Sequence, residues 1–211
     1  MASLQQDQIR KLLQKYKIPV VKELQAKTKD EASKAAERIG YPVVLKVVSK
    51  DISHKTEVGG VETGLKYKNE VEDAFDRISK NVKAHKKTMQ GVLVQKMSHG
   101  YEVIIGGNMD PQFGPTIMFG LGGIWVEAMH DVSFRVCPLL EKDADEIVKE
   151  IKGYTILKGF RGKPSGDLKA LSQAILSCSR MMVQNKIKEF DINPLFVQEK
   201  GVVAVDFRMS K

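Results

Sequence analysis

Asp191-Ile192-Asn193-Pro194-Leu195-Phe196-Val197, the turn Gln198-Glu199-Lys200-Gly201 and Val202-Val203-Ala204-Val205-Asp206-Phe207-Arg208 form the stretch on which the reading of the fold turns. Two β-rich runs separated by a polar, glycine-ended turn read as a hairpin, and a hairpin loop of two or four residues pairs positions symmetrically about its centre. Val197 then faces Val202, Asn193 faces Asp206, and Asp191 faces Arg208. Side chains alternate along a strand, so Asp191, Asn193, Asp206 and Arg208 share one face, and Ile192, Val205 and Phe207 the other. An amide oxygen beside a carboxylate offers hard donors of the kind Mg²⁺ takes, with phosphate oxygens and waters completing its shell. The same pattern also fits the solvent side of an edge hairpin carrying an Asp–Arg cross-strand pair.

Outward from the hairpin, a second segment points to anion chemistry. The strand Val43-Val44-Leu45-Lys46-Val47-Val48 is apolar on both faces except for Lys46, and burying an unpaired ammonium is costly, so Lys46 either reaches water or meets an anion. A polar loop follows, ending at Gly59-Gly60, where missing side chains let backbone amides approach phosphate oxygens. The spacing differs from that of a P-loop, and an edge lysine followed by a surface loop fits the same residues. His54 lies in that loop, and imidazole serves as acid, base or phosphoryl acceptor near neutral pH.

The remainder is mixed. Apolar periodicity predicts helices over 4–16, 28–39, 69–82, 143–152 and 167–184, and strands over 43–48, 91–97, 102–108, 116–119, 190–197 and 202–209. Thr28 with Glu31, and Asn69 with Glu72, read as helix-start signals. A hinge is expected near 97–101, separating a subdomain of 1–97, leading helix included, from one of 98–211 that carries the hairpin. A glycine cluster at Gly120, Gly122 and Gly123 precedes Glu127 and Arg135, which would suit a charged cleft wall.

Composition narrows the class. With 211 residues the chain is long enough to bury about 70% of its unfolded surface without a disulfide or metal. Cys137 and Cys178 have no zinc or redox spacing and read as buried thiols in a reducing compartment. No leader and no membrane-length apolar run is visible, which predicts a cytoplasmic protein with no membrane contact. Lys+Arg exceed Asp+Glu by 34 to 26, a formal charge of +8, but the lysines are scattered. The single short cluster, at 83–87, follows an amphipathic helix and reads as a solvated helix end rather than a nucleic-acid face.

In order and spacing, several segments together resemble one family. They are Gly40-Tyr41-Pro42-Val43-Val44-Leu45-Lys46, His54-Lys55-Thr56-Glu57-Val58-Gly59-Gly60-Val61, Asp110-Pro111-Gln112-Phe113-Gly114-Pro115, 119–127, 131–135, and the two arms of the hairpin. The chain is similar over 15–209 to ATP-grasp domains, and more closely to the nucleotide-binding β subunits of ADP-forming acetyl-CoA synthetases, relatives of succinyl-CoA synthetase. That resemblance implies an α+β ATP-grasp fold, two α/β subdomains with the nucleotide in the cleft between them. It implies an acid–thiol ligase in which a phosphohistidine shuttles a phosphoryl group to ADP, with Mg²⁺ as cofactor and ADP or ATP as substrate. By the same resemblance Lys46 holds phosphates, with Gly59 and Gly60 close by and Arg208 and Arg135 as further phosphate neighbours. Asn193 and Asp206 bind Mg²⁺, Gln95, Lys96 and Met97 form the adenine-reading hinge, and Glu102 binds ribose. Asp191 orients the phosphohistidine, and His54 matches a second, transient phosphoryl carrier. Tyr101 departs from the family, which often has arginine there.

The chain shows neither a dinucleotide fingerprint nor a CoA-binding domain. The expected partner is therefore an α subunit carrying the CoA-binding and phosphohistidine domains, in an α2β2 assembly. Three other readings remain open on sequence: the ATP-grasp part of a fused acyl-CoA synthetase, a stand-alone ATP-grasp carboxylate ligase, and a non-enzymatic basic binding module. Mg²⁺-dependent nucleotide binding separates the last from the rest.

Overall fold

The computed structural model describes residues 4–52, 54–123 and 131–211. In chain order the elements are α1 (Gln6–Lys15), β1 (Glu23–Ala26), α2 (Lys29–Ile39), β2 (Val43–Val48), β3 (Val61–Leu65), α3 (Lys68–Ala84), β4 (Gly91–Lys96), β5 (Tyr101–Asp110), β6 (Gly114–Leu121) and β7 (Val132–Val136). They continue with α4 (Glu141–Glu150), α5 (Tyr154–Leu157), α6 (Leu168–Asn185), β8 (Glu189–Val197), β9 (Val202–Ala204) and β10 (Phe207–Ser210). The content is α+β, and both sheets are antiparallel.

One compact unit is Val21–Met97, a four-stranded sheet in the order β1-β4-β2-β3 with α2 and α3. Val43, Leu45 and Val47 point to one face of β2 and are fully buried with Ala32, Ala36, Val71, Ala74 and Ile78 of the two helices. The Thr28 hydroxyl caps α2 by accepting the Glu31 N–H at 3.2 Å, and Glu31 accepts the N–H of Lys27 at 2.7 Å. Asn69 does not cap α3. The helix begins a residue earlier, after an extended Tyr67, and Glu70 accepts the Lys66 N–H at 2.6 Å instead.

The other unit takes the residues up to Val20 together with Ser98–Lys211. Its main path is β10-β8-β5-β6-β7, with β9 continuing the edge beside β8. Ile105, Ile117, Phe119, Ile147, Leu171 and Ile175 lie at the centre of its core. The leading helix belongs here and not with 21–97, which corrects the sequence-based division at that end. The physical reason is its apolar stripe: Ile9 and Leu13 are buried in this core, each worth roughly 2 kcal/mol of transfer free energy. Gln6 donates to the Phe207 carbonyl at 3.1 Å, and the Tyr16 hydroxyl to Gln184 of α6 at 2.7 Å.

Asp167 links this core to the hairpin. Its carboxylate caps α6 by accepting the Ala170 N–H at 3.0 Å and also accepts the N–H of Gly201, in the hairpin turn, at 2.8 Å. Those two amides hold its carboxyl below the usual carboxylate range.

Candidate functional site

The hairpin has the register inferred from its turn. Val197 pairs with Val202, Leu195 with Ala204, Ile192 with Phe207 and Asp191 with Arg208. Between these pairs the Asn193 N–H donates to the Asp206 carbonyl at 3.0 Å, and the Val205 N–H to the Pro194 carbonyl at 3.1 Å. The expected single strand over 202–209 is broken at 205–206, between β9 and β10. On the other side, β8 runs from Leu195 to Ile192 while β5 advances only from Val103 to Ile105, so Asn193 and Pro194 form a bulge. Phe190, Ile192, Leu195 and Val197 are all buried, and Asn193 is exposed.

One row runs straight across this sheet: Arg208, Asp191, Gly106, Met118 and Phe134. Asp191 is half-buried, and burial pushes its carboxyl above the usual range; Arg208 opposes the shift, while Asp206 and Glu189 add to it. Beside it opens a cavity of about 780 Å³ whose lining includes Gly106, Asp110, Phe113, Glu189, Asp191 and Arg208. Glu102 is exposed on the same face of β5, four residues from Gly106, about 13 Å at the rise of an antiparallel strand. Its carbonyl accepts the N–H of Gly122 at 2.8 Å.

Arg135 is not a free phosphate neighbour. Its guanidinium grips both oxygens of Glu150 on α4, one contact being 2.8 Å, and Ser133 adds a hydrogen bond to the same carboxylate. These bonds bring the Glu150 carboxyl down to about 2. Glu127 lies outside the described residues.

In the unit of Val21–Met97, Lys46 is half-buried on the face of β2 opposite the helices, between Val61 of β3 and Leu93 of β4. His54 is exposed, its Nδ1 3.7 Å from Glu57. The expectation that the Gly59 and Gly60 amides approach phosphate does not hold. They donate inside the loop, to the carbonyls of Thr56 at 3.0 Å and Lys55 at 2.8 Å. Gly60 is a packing glycine, since a Cβ there would stand 2.5 Å from Val47 Cγ1, and Gly59 takes a φ of +60°.

The hinge is similarly engaged. Lys96 Nζ donates to the carbonyls of Gly40 and Tyr41 at 2.8 and 2.7 Å, closing the end of α2. The Lys96 N–H bonds Lys22 and the Met97 N–H bonds Pro42, at 2.9 and 3.1 Å. Gln95 is buried, with its amide donating to Glu23 at 2.5 Å. Neither the Lys96 ammonium nor these two amides stand ready for a base.

The sequence reading missed Gly106, Asp110 and Glu189. The signal for the first was two consecutive glycines inside a strand, which mark a close approach; extending the hairpin alternation by one pair would have added Glu189. Among the described residues no three His, Cys, Asp or Glu side chains cluster as a metal site. The Asn193–Asp206 pair therefore offers two hard oxygen donors, which fits a cation completed by phosphate and water rather than an all-protein cage.

Comparison with known proteins identifies the family. The ATP-grasp domain family matches residues 1–210. The β subunit of an ADP-forming acetate–CoA ligase I from Pyrococcus furiosus is 43% identical over 210 residues, 98% of this chain and 90% of that subunit. The ADP-forming acetate–CoA ligase I of Archaeoglobus fulgidus is 46% identical over 202 residues, 94% of this chain but 29% of that longer protein. A solved acetyl-coenzyme A synthetase 1 from Ca. Korarchaeum cryptofilum, in complex with coenzyme A, Ca-AMPCP and HgCl+, matches with a TM-score of 0.92 at 44% identity, covering 98% of this chain and 92% of that one. The same protein with coenzyme A and Mg-AMPPCP, its phosphohistidine segment pointing towards the nucleotide binding site, matches at 0.84 and 42%, with 98% and 92% covered. Matched along almost its entire length, this chain belongs to the ATP-grasp domain family, among the β subunits of ADP-forming acetate–CoA ligases.

Proposed function

We propose that the chain binds Mg²⁺ with ADP or ATP and passes a phosphoryl group between the nucleotide and a phosphohistidine of an α subunit, within an α2β2 ligase. The whole enzyme would convert acyl-CoA, ADP and phosphate to acid, CoA and ATP, reversibly. The observation that supports the reading is the hairpin register, in which the opposed Asn193 and Asp206 lie two residue pairs from Asp191 and Arg208. Bound there, Mg²⁺ would neutralise phosphate charge and align the transferring oxygens.

The roles of this chain's residues follow. The Asp191 carboxylate accepts the free ring N–H of the partner's phosphohistidine and holds the imidazole in line. As the P–N bond breaks, its electron pair returns to the ring nitrogen and a β-phosphate oxygen of ADP bonds phosphorus, leaving neutral imidazole. Lys46 supplies a cation for phosphate oxygens, and Arg208 a second. Glu102 is assigned to ribose hydroxyls. With the Lys96 and Met97 amides engaged, adenine recognition by the hinge falls to other atoms of 95–97. His54, exposed in its loop, is assigned as a transient phosphoryl carrier.

The reading places the enzyme in the cytoplasm, in keeping with two buried free thiols. No helix among the described residues is long and apolar enough to cross a membrane. Calorimetric titration of the purified chain with ADP, with and without Mg²⁺, tests the reading, with Asp206→Asn as the variant. Mg²⁺-dependent binding that Asp206→Asn weakens without loss of fold is expected; no binding at millimolar nucleotide overturns it. His54→Ala in the reconstituted complex is expected to lose turnover and keep nucleotide affinity; unchanged turnover removes His54 from the mechanism.

A further inference from the structure

β9 and β10, on either side of Asp206, run along one edge of the larger sheet with β8 on their inner side. Between them the ladder to β8 is irregular, and Asp206 falls in that step. An edge strand has a single row of ladder bonds, and where that row is interrupted the strand is the part of a sheet that opens most easily. A residue that holds a cation needs the reverse, because a ligand must stay within about 0.5 Å of its productive position.

The N-terminal segment supplies what the ladder lacks. The Ala204 N–H donates to the Pro19 carbonyl at 2.8 Å, the Gln6 side-chain amide to the Phe207 carbonyl at 3.1 Å, and the Leu4 N–H to the Met209 carbonyl at 2.9 Å. These bonds fall on both sides of Asp206. The Arg10 guanidinium lies over the Phe207 ring, 5.8 Å from its centroid. Core packing aims the donors, since Ile9 and Leu13 of α1 are buried in the core that also holds Phe207. Gln6 and Phe207 are 201 positions apart in the chain, so nothing local puts that amide there. The bonds made by Leu4 and Pro19 use main-chain atoms and survive most substitutions, whereas the bond to Phe207 depends on which residue stands at 6. Leu, Met or Glu in the first turn of α1 would serve the helix as well as Gln, but none of them donates.

We propose that Gln6 is a positioning residue for the Mg²⁺ site: by holding the Phe207 carbonyl it fixes the backbone that carries Asp206, and with Leu4, Arg10 and Pro19 it makes the N-terminal segment a brace on the outer edge of the hairpin. The proposal rests on the reading of Asp206 as a Mg²⁺ ligand. Gln6 acts only through Phe207, from outside the site, and so bears on the cation and not on the nucleotide itself.

The test titrates the purified chain with ADP, with and without Mg²⁺, and follows amide hydrogen exchange in the absence of both. Gln6→Met keeps side-chain length and helix propensity and removes the donor. It is expected to weaken the Mg²⁺-dependent affinity for ADP roughly three- to fivefold, the worth of one hydrogen bond, while affinity without Mg²⁺ stays within about twofold. Exchange is expected to quicken at 206–209 and to stay unchanged in β5 and β6. Mg²⁺-dependent affinity equal to that of the unsubstituted chain overturns the proposal. So does an equal loss with and without Mg²⁺, or exchange that quickens evenly through β5, β6 and β8, since each marks a general loss of stability and not a loss of position. ADP binding that does not depend on Mg²⁺ in the unsubstituted chain instead overturns the metal reading on which the proposal rests.

Discussion

Replacing Asp167 removes two bonds of different kinds, and two substitutions separate them. Asp167→Ala deletes both the cap on α6 and the acceptor for Gly201. A lost cap costs about 1 kcal/mol, and loss of a charge-assisted bond to the half-exposed Gly201 amide about another 1–1.5. For a chain of this length each kcal/mol lowers Tm by about 2–4 °C, so Asp167→Ala should melt roughly 4–10 °C lower at pH 7. Asp167→Asn keeps one oxygen for the cap but turns an amide toward the Gly201 N–H, and should lose about half as much. Both are read by thermal circular dichroism. Because the two amides hold the native carboxyl below its unfolded value, the stabilisation is complete above the unfolded pKa and fades as pH falls through the lower folded pKa. The gap between the parent chain and Asp167→Ala should therefore narrow below about pH 4. Equal melting of parent and Asp167→Ala at neutral pH, or a gap that stays constant with acid, would refute the reasoning.

Gly107→Ala forces a Cβ to within 2.1 Å of the Phe190 ring and should cost about 1–3 kcal/mol, while Gly106→Ala should leave Tm nearly unchanged; calorimetry comparing the two checks it, and equal losses would contradict it. Asp191→Asn should leave Tm unchanged or raise it, because burial already disfavours the native carboxylate, while phosphoryl transfer collapses; a lower Tm with transfer intact would reverse the assignment. Glu150→Gln breaks the pair with Arg135. The Glu150 carboxyl sits at about 2, but the side chain is 47% exposed, so screening limits the loss to about 1 kcal/mol at pH 7. Its folded pKa is depressed, so that contribution persists above the unfolded value and vanishes as pH drops toward 2; melting curves of parent and variant should converge there.

What the sequence disclosed and what it hid have physical reasons. The hairpin register was legible because a short turn and alternating apolar residues leave no other pairing that keeps Val197 and Val202 buried together. Lys46 was legible as an odd residue in an apolar strand. β1, Glu-Leu-Gln-Ala, was not seen, because four residues without a β-branched side chain carry no strand signal, and β3 is short and interrupted by Gly64. The stripe of α1 announced that the helix docks but not on what, since Ile9 and Leu13 would suit any apolar partner. Gly59-Gly60 read as an anion loop because sequence shows that amides can approach closely, and not whether Lys55 and Thr56 already accept them.

The bulge explains how one hairpin carries both a core and a site. In an unbroken ladder Leu195 would share a face with Asn193, and Ala204 with Asp206, because alternation has a period of two. Leu195 and Ala204 are fully buried, so a regular hairpin would draw the polar pair into the core or expose those two apolar residues. At Asn193-Pro194 and Val205-Asp206 both strands take the same irregular step, and the buried set moves from Ile192 and Phe207 to Leu195 and Ala204. The pairing is preserved through the step by the Asn193 and Val205 amides, so Asn193 and Asp206 stay opposed. Two residues with oxygen donors thus remain opposed within a strand pair that is otherwise core, two residue pairs along from Asp191 and Arg208. A cation or phosphate bound there would be held by backbone that the core on both sides fixes, the rigid support that phosphoryl transfer requires of the groups that align it.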